Sequence, residues 1–95
     1  MRIQLDNGFI EWREGTGGNI EITQIKTYEK RRGTGKELIW KLIEKEDCYY
    51  SIYAFVLASR KRVRNFYKSC GFQEIELGRS VYKNDKTILV WKKCI

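Results

Sequence analysis

Apolar and polar positions alternate along this 95-residue chain with two different periods. Arg2–Leu5 and Phe9–Arg13 alternate as strands, joined by the turn residues Asp6-Asn7-Gly8. Glu14-Gly15-Thr16-Gly17-Gly18 follows. No helix comes after these glycines, so a hairpin loop is favoured over a phosphate loop. Asn19–Thr27 reads as a third strand. Ile20 and Ile22 share one face, but the next apolar residue is Ile25, one position late. A period of two that slips by one implies a β-bulge between Ile22 and Ile25. The other reading is a regular strand with Gln24 as a solvated polar residue.

From about Thr34 to Lys45 the period lengthens. Leu38 and Leu42, with Ile39 and Ile43, stack four residues apart and give a helix one apolar face. Cys48–Leu57, rich in Tyr, Ile, Phe and Val, predicts a buried strand. Ser59 is placed to cap a second helix running to about Cys70. Val63, Phe66, Tyr67 and Cys70 form its apolar face, and Gly71 stops it. Phe72–Leu77 returns as a strand, and Ser80–Lys83 with Thr87–Lys93 reads as a closing hairpin around Asn84-Asp85-Lys86. Strand, turn, helix and strand make a βαβ unit with parallel strands. Ligands bind such units at the carboxyl ends of the strands, here the rim formed by Ile25–Gly35 and Leu57–Arg60.

The turn between the third strand and the first helix carries the densest chemistry. Gly33 and Gly35 flank Thr34, and Lys30, Arg31, Arg32 and Lys36 surround them. Glycine can turn sharply and leave backbone N–H groups facing a ligand, and the helix behind adds its positive end. Together these make a nest for a diphosphate. A plain loop is the bland alternative. The spacing is not a P-loop, which would need Gly at position 30 and Ser or Thr at 37, where Lys30 and Glu37 stand. Nor is it a dinucleotide fingerprint, since Leu38 occupies the third glycine position.

Composition narrows the chemistry. The formal net charge is +7, which favours an anionic partner such as a phosphorylated cofactor or a nucleic acid. There is no histidine, so the usual general base is missing. Zinc and other metals are not expected, because Cys48, Cys70 and Cys94 lack ligand spacing. An odd cysteine count suggests free thiols. Cys70 as a nucleophile would have no histidine to activate it. No apolar run approaches a membrane span and no signal peptide is apparent, so the expected location is cytoplasmic.

Lys30-Arg31-Arg32-Gly33-Thr34-Gly35 resembles motif A of the GNAT superfamily of N-acetyltransferases, Gln/Arg-x-x-Gly-x-Gly/Ala. About thirty residues later, beyond one strand, Phe66-Tyr67-Lys68-Ser69-Cys70-Gly71-Phe72 resembles that family's motif B. The two motifs and the elements joining them cover residues 20–77. The resemblance implies an α+β fold: a single GNAT-like domain over 1–95, with a central mixed, mostly antiparallel twisted sheet, a βαβ core and two main helices. It implies direct transfer of an acetyl group from acetyl-CoA to a primary amine. The bulged third strand would hold the acyl-pantetheine arm through Ile25 and Thr27. Backbone groups from Arg31 to Lys36 would hold the pyrophosphate.

Tyr67 would protonate the departing thiolate, although an aromatic at this helical spacing is also a natural packing residue. Glu21 is the candidate base; a solvated sheet-face glutamate is the simpler account. Three positions depart from the family pattern. Lys30 replaces Gln or Arg and loses bidentate geometry. Arg60 stands where an Asn commonly contacts pantetheine, and could reach phosphate instead. Few residues precede the bulged strand, so the acceptor site would be open, or completed by another subunit or partner in a homo-oligomer or mixed complex. A large, macromolecular or acidic amine fits that expectation. Two alternatives stand beside the enzyme: a non-catalytic CoA-binding module, and a basic nucleic-acid-binding domain using Arg60-Lys61-Arg62, Arg64 and Lys68 with the aromatic residues.

Overall fold

The computed structural model describes residues 1–28, 33–46, 50–79 and 85–94. Six strands form one sheet: β1 (Arg2–Leu5), β2 (Gly8–Glu14), β3 (Ile20–Thr27), β4 (Ser51–Leu57), β5 (Gln73–Arg79) and β6 (Lys86–Lys93). Two helices complete the fold, α1 (Thr34–Glu46) and α2 (Lys61–Ser69). The spatial order is β1-β2-β3-β4-β6-β5. Only β3 and β4 pair in parallel; the other four junctions are antiparallel. This is the mixed α+β sheet expected from the sequence.

Both helices cover the same face. Leu38, Ile39 and Leu42 of α1 and Tyr67 of α2 belong to one buried cluster with Ile10, Trp12, Ile22, Ile52, Ala54, Ile88 and Val90. The alternation of each strand puts these residues on the helix side. The far end of α1 is tied to the sheet by Trp12 Nε1–H, which donates to Glu46 Oε1 at 3.0 Å. Gly71, at φ +89°, ends α2 as expected, and Lys92 Nζ donates to the Cys70 carbonyl there at 2.9 Å. Cations at a helix C-terminus are favoured by its dipole.

The bulge is present. Trp12 faces Ile22, but Glu11 faces Gln24, so Thr23 has no partner on β2. The extra residue returns Ile25 to the core side, where it packs against the main cluster.

Three expectations are corrected. Ser59 does not cap α2: Arg60 is the N-cap residue and makes no side-chain cap bond. The Ser59 hydroxyl instead donates to Asp85, drawn there because Asp85 also accepts from the Ser59 and Lys86 N–H groups. The closing hairpin is β5 with β6, because β5 continues to Arg79 and Arg79 faces Lys86; residues 80–83 lie outside the described segments. Among the described cysteines, Cys70 is a free thiol, whereas Cys94 is disulfide-bonded rather than free. Its N–H also donates to Tyr50 O, at 2.9 Å, fixing the end of the chain beside the start of β4.

Candidate active site

The site is defined by a defect in the sheet. β3 and β4 pair at only two positions, Ile20 with Ile52 and Glu21 with Tyr53. Beyond them the strands part. On its other side β3 stays paired to β2 as far as Thr27 opposite Gly8. On its other side β4 stays paired to β6 as far as Leu57 opposite Thr87. The gap is therefore bordered by two firmly held strands whose facing edges have no ladder partner. Unpaired backbone N–H and C=O groups demand another partner. An extended ligand can supply it.

At the carboxyl end of this gap α1 begins. Gly33 has φ +68°, a left-handed conformation that glycine adopts at little cost. Its carbonyl accepts the Glu37 N–H at 3.0 Å, closing the first turn. Gly35 serves a different purpose. A Cβ there would lie 2.5 Å from Cε1 of Phe66. The start of α1 thus seats against α2, and the residue that permits it is the second glycine of the motif. Thr34 is buried at 5% exposure, and Lys36 is exposed. Lys30, Arg31 and Arg32 lie outside the described residues.

Tyr67 is 2% exposed. Its ring centroid lies 5.3 Å from that of Phe66 and 5.0 Å from that of Phe72. No hydrogen bond joins its hydroxyl to any described residue. Burial, followed by the nearby Cys70, raises its pKa well above the usual tyrosine value, so it stays protonated at neutral pH. Cys70 is also raised by burial, against the lowering effect of the Ser69 hydroxyl, Lys36 and Lys92.

Glu21 sits on the opposite face of the sheet, at the closed end of the gap. Arg13 Nη2 donates to both its oxygens, at 3.2 and 3.1 Å, and the Tyr53 hydroxyl donates to Oε1 at 3.3 Å. The structure does not bring Glu21 and Tyr67 together on one face. Ile25 and Thr27 lie on the free stretch of β3. Arg60 stands on the same rim, just past β4, with its N–H donating to Leu57 O at 3.0 Å.

Several contacts were not foreseen. Arg13 and Tyr53 flank Glu21 because the β2–β3 connection sets Arg13 opposite Glu21 on one side and the short parallel pairing sets Tyr53 opposite it on the other. Arg64 is not a free surface cation. Its Nε and Nη2 donate to the two oxygens of Glu74 at 2.7 and 3.1 Å, and Nη1 donates to Ala58 O at 2.7 Å. Lys68 joins Glu74 at 3.0 Å.

The sheet thus parts beside a glycine turn and a helix N-terminus, and comparison with known proteins says which fold family shares this arrangement. Residues 6–90 match the family model for the acetyltransferase (GNAT) domain. The chain belongs to that family. No curated protein sequence matches it. Solved structures do. A candidate GNAT-family acetyltransferase from Desulfovibrio desulfuricans is 18% identical, with a TM-score of 0.81 over 98% of this chain and 65% of that one. A candidate streptothricin acetyltransferase from Bacillus anthracis, solved with acetyl coenzyme A, is 24% identical, with a TM-score of 0.80 over 90% and 55%. The ribosomal-protein-S18-alanine N-acetyltransferase of Escherichia coli is 17% identical, with a TM-score of 0.72 over 99% and 68%. At these identities the likeness is one of fold. The chain spans roughly half to two-thirds of the length of these neighbours. Among the described residues no helix is long and apolar enough to cross a membrane.

Proposed function

We propose that residues 1–95 act as one acetyl-CoA-dependent N-acetyltransferase domain, moving an acetyl group directly to a primary amine. The observation that carries this reading is the parted β3–β4 pair opening beside the N-terminus of α1. Its free edges suit an extended pantetheine arm, and the Bacillus anthracis neighbour was solved with the same cofactor. In this reading the backbone of Ile25 and Thr27 holds the acyl end. The turn Lys30, Arg31, Arg32, Gly33, Thr34 and Gly35, with Lys36, holds the pyrophosphate, and Arg60 reaches phosphate from the rim.

Catalysis is mainly positioning. Holding an amine against a thioester carbonyl makes the step effectively unimolecular. The nitrogen attacks the carbonyl carbon, a C–N bond forms and the C–S bond breaks. Tyr67 gives its hydroxyl proton to the departing sulfur. A buried phenol is a reluctant donor, but the same low-dielectric surroundings make an anionic sulfur more basic. The surplus amine proton passes by water to Glu21, whose ion pair with Arg13 must open to receive it. The nucleic-acid reading loses support, because Arg64 and Lys68 already spend their charge on Glu74.

Calorimetric titration with acetyl-CoA, against adenosine 3′,5′-bisphosphate, tests the proposal. Saturable micromolar binding that weakens in Arg31→Glu supports it; no binding at millimolar ligand overturns it. With an amine acceptor in hand, Tyr67→Phe should lower kcat by about 100-fold, a usual worth for a general acid, with KM for acetyl-CoA unchanged. Unchanged kcat would return Tyr67 to packing alone. Binding without turnover of any amine would favour the non-catalytic module.

A further inference from the structure

The sheet has a second broad face that no helix among the described residues covers. Its two halves differ. On β1–β3 the register puts Arg2, Glu11, Arg13 and Glu21 outward, and they pair among themselves, Arg2 with Glu11 at 3.4 Å and Arg13 with Glu21 at 3.1 Å. Phe9, on that side, is shielded by the Arg2 guanidinium 4.0 Å above its ring and by Tyr28. On β4, β6 and β5 the central outward residues are apolar, with Ser51, Gln73, Thr87 and Lys93 towards the strand ends. Phe55 is 53% exposed, Ile75 46% and Leu77 52%. Tyr53, Phe55, Ile75, Leu89 and Trp91 line a shallow open depression of about 360 Å³. Contiguous apolar surface of this kind on a folded domain marks an interaction site.

We propose that two copies of this chain pack through this face as a two-fold dimer, apolar half on apolar half. Three observations favour a second copy over other occupants. The molecule is a slab of 35 × 33 × 21 Å, two layers thick; its broad face is large enough for the apolar half and its margins to supply the ~800 Å² per partner that a stable interface needs. The arginines of this face are already matched by its own carboxylates, so it offers little to an acidic protein or a nucleic acid. An isologous contact also suits a patch confined to one half, because a two-fold axis through that half buries it on both copies and closes the assembly. Lys26 and Lys93, which have no ion-pair partner among the described residues, fall towards strand ends, where they remain in water.

Sedimentation of the whole chain between about 1 and 100 µM tests this, a range that brackets ordinary dimer affinities. The expected result is a dimer that salt does not dissociate, since its core is apolar and screening relieves repulsion between two cationic copies. Phe55→Glu and Ile75→Glu should each weaken it by about 100-fold, the scale of a lost interface anchor. Both side chains are half exposed in the single chain, so circular dichroism and the urea midpoint of the dissociated monomer should hold. Trp40→Glu, at an equally exposed aromatic on α1, should leave the dimer intact. A monomer throughout the range overturns the proposal. So does a dimer that survives both glutamate variants, or one that only Trp40→Glu dissociates.

Discussion

Strand β4 has two edges, and they behave differently. Along one it pairs with β6 at seven consecutive positions, from Ser51 opposite Lys93 to Leu57 opposite Thr87. Along the other it pairs with β3 at two positions and then stands free. Both edges belong to the same apolar strand, so the composition of β4 cannot explain the contrast. The difference lies in the neighbours. β6 is regular opposite β4, whereas β3 carries one residue too many at Thr23 and bends away. The lesson is that the closed edge builds the fold and the open edge builds the site. Each can be attacked separately.

The largest effect is expected where the two helices lock the mouth of the open edge. Gly35→Val would drive a branched side chain into the Phe66 ring. Overpacking of this kind costs roughly 3 kcal/mol, read as a lower urea midpoint at unchanged slope. Shrinking the opposing ring tests the cause. If the overlap is responsible, Phe66→Leu combined with Gly35→Val should recover much more stability than the sum of the single changes predicts. Simple additivity would show that Gly35 is needed for some other reason.

Deleting Thr23 attacks the contrast itself. Without it β3 alternates regularly from Ile20 to the residue now Ile25, so β3 can follow β4 further and the gap narrows. Binding of acetyl-CoA should fall by at least about 100-fold, or roughly 2.7 kcal/mol, while the unfolding midpoint changes little or rises. Retained binding would mean that the parted strands are not what receives the cofactor.

The slipped alternation Ile20, Ile22, Ile25 made this bulge legible in the sequence, because a side-chain period of two leaves no freedom for a buried strand. The helix faces and the stop at Gly71 were legible for the same reason, each set by a local period or a local φ. Long-range partners were not. Ser59 has the chemistry of a helix cap, but only the folded sheet brings Asp85 beside it, and a carboxylate with two further N–H donors outcompetes the helix end. Glu21 looked like a free carboxylate because its partner Arg13 lies across a hairpin, where only the folded pairing of β2 with β3 brings the two side chains together. Gly35 has a second role that the motif did not suggest: its missing Cβ leaves room for Phe66.

The smallest effect belongs to the closed side, where Arg64 and Lys68 moor α2 to β5 through Glu74. The Arg64 guanidinium, with help from Lys68, holds the Glu74 carboxyl down to about 2 from an ordinary 4.5. The folded value is the depressed one, so the unfolded chain binds the proton first as pH falls. The contribution is complete above about 4.5 and is lost progressively towards 2. The site is partly open to water, which screens it, so Glu74→Gln should cost only about 1 kcal/mol at neutral pH. Urea unfolding in steps down through that window should show the two proteins converging, because protonation removes from the wild type what the substitution has already removed. A difference that stays constant with pH would mean that the mooring depends on shape and hydrogen bonding and owes nothing to charge. Acetyl-CoA affinity should barely move in this variant, since the closed edge fixes where α2 sits but lines none of the gap.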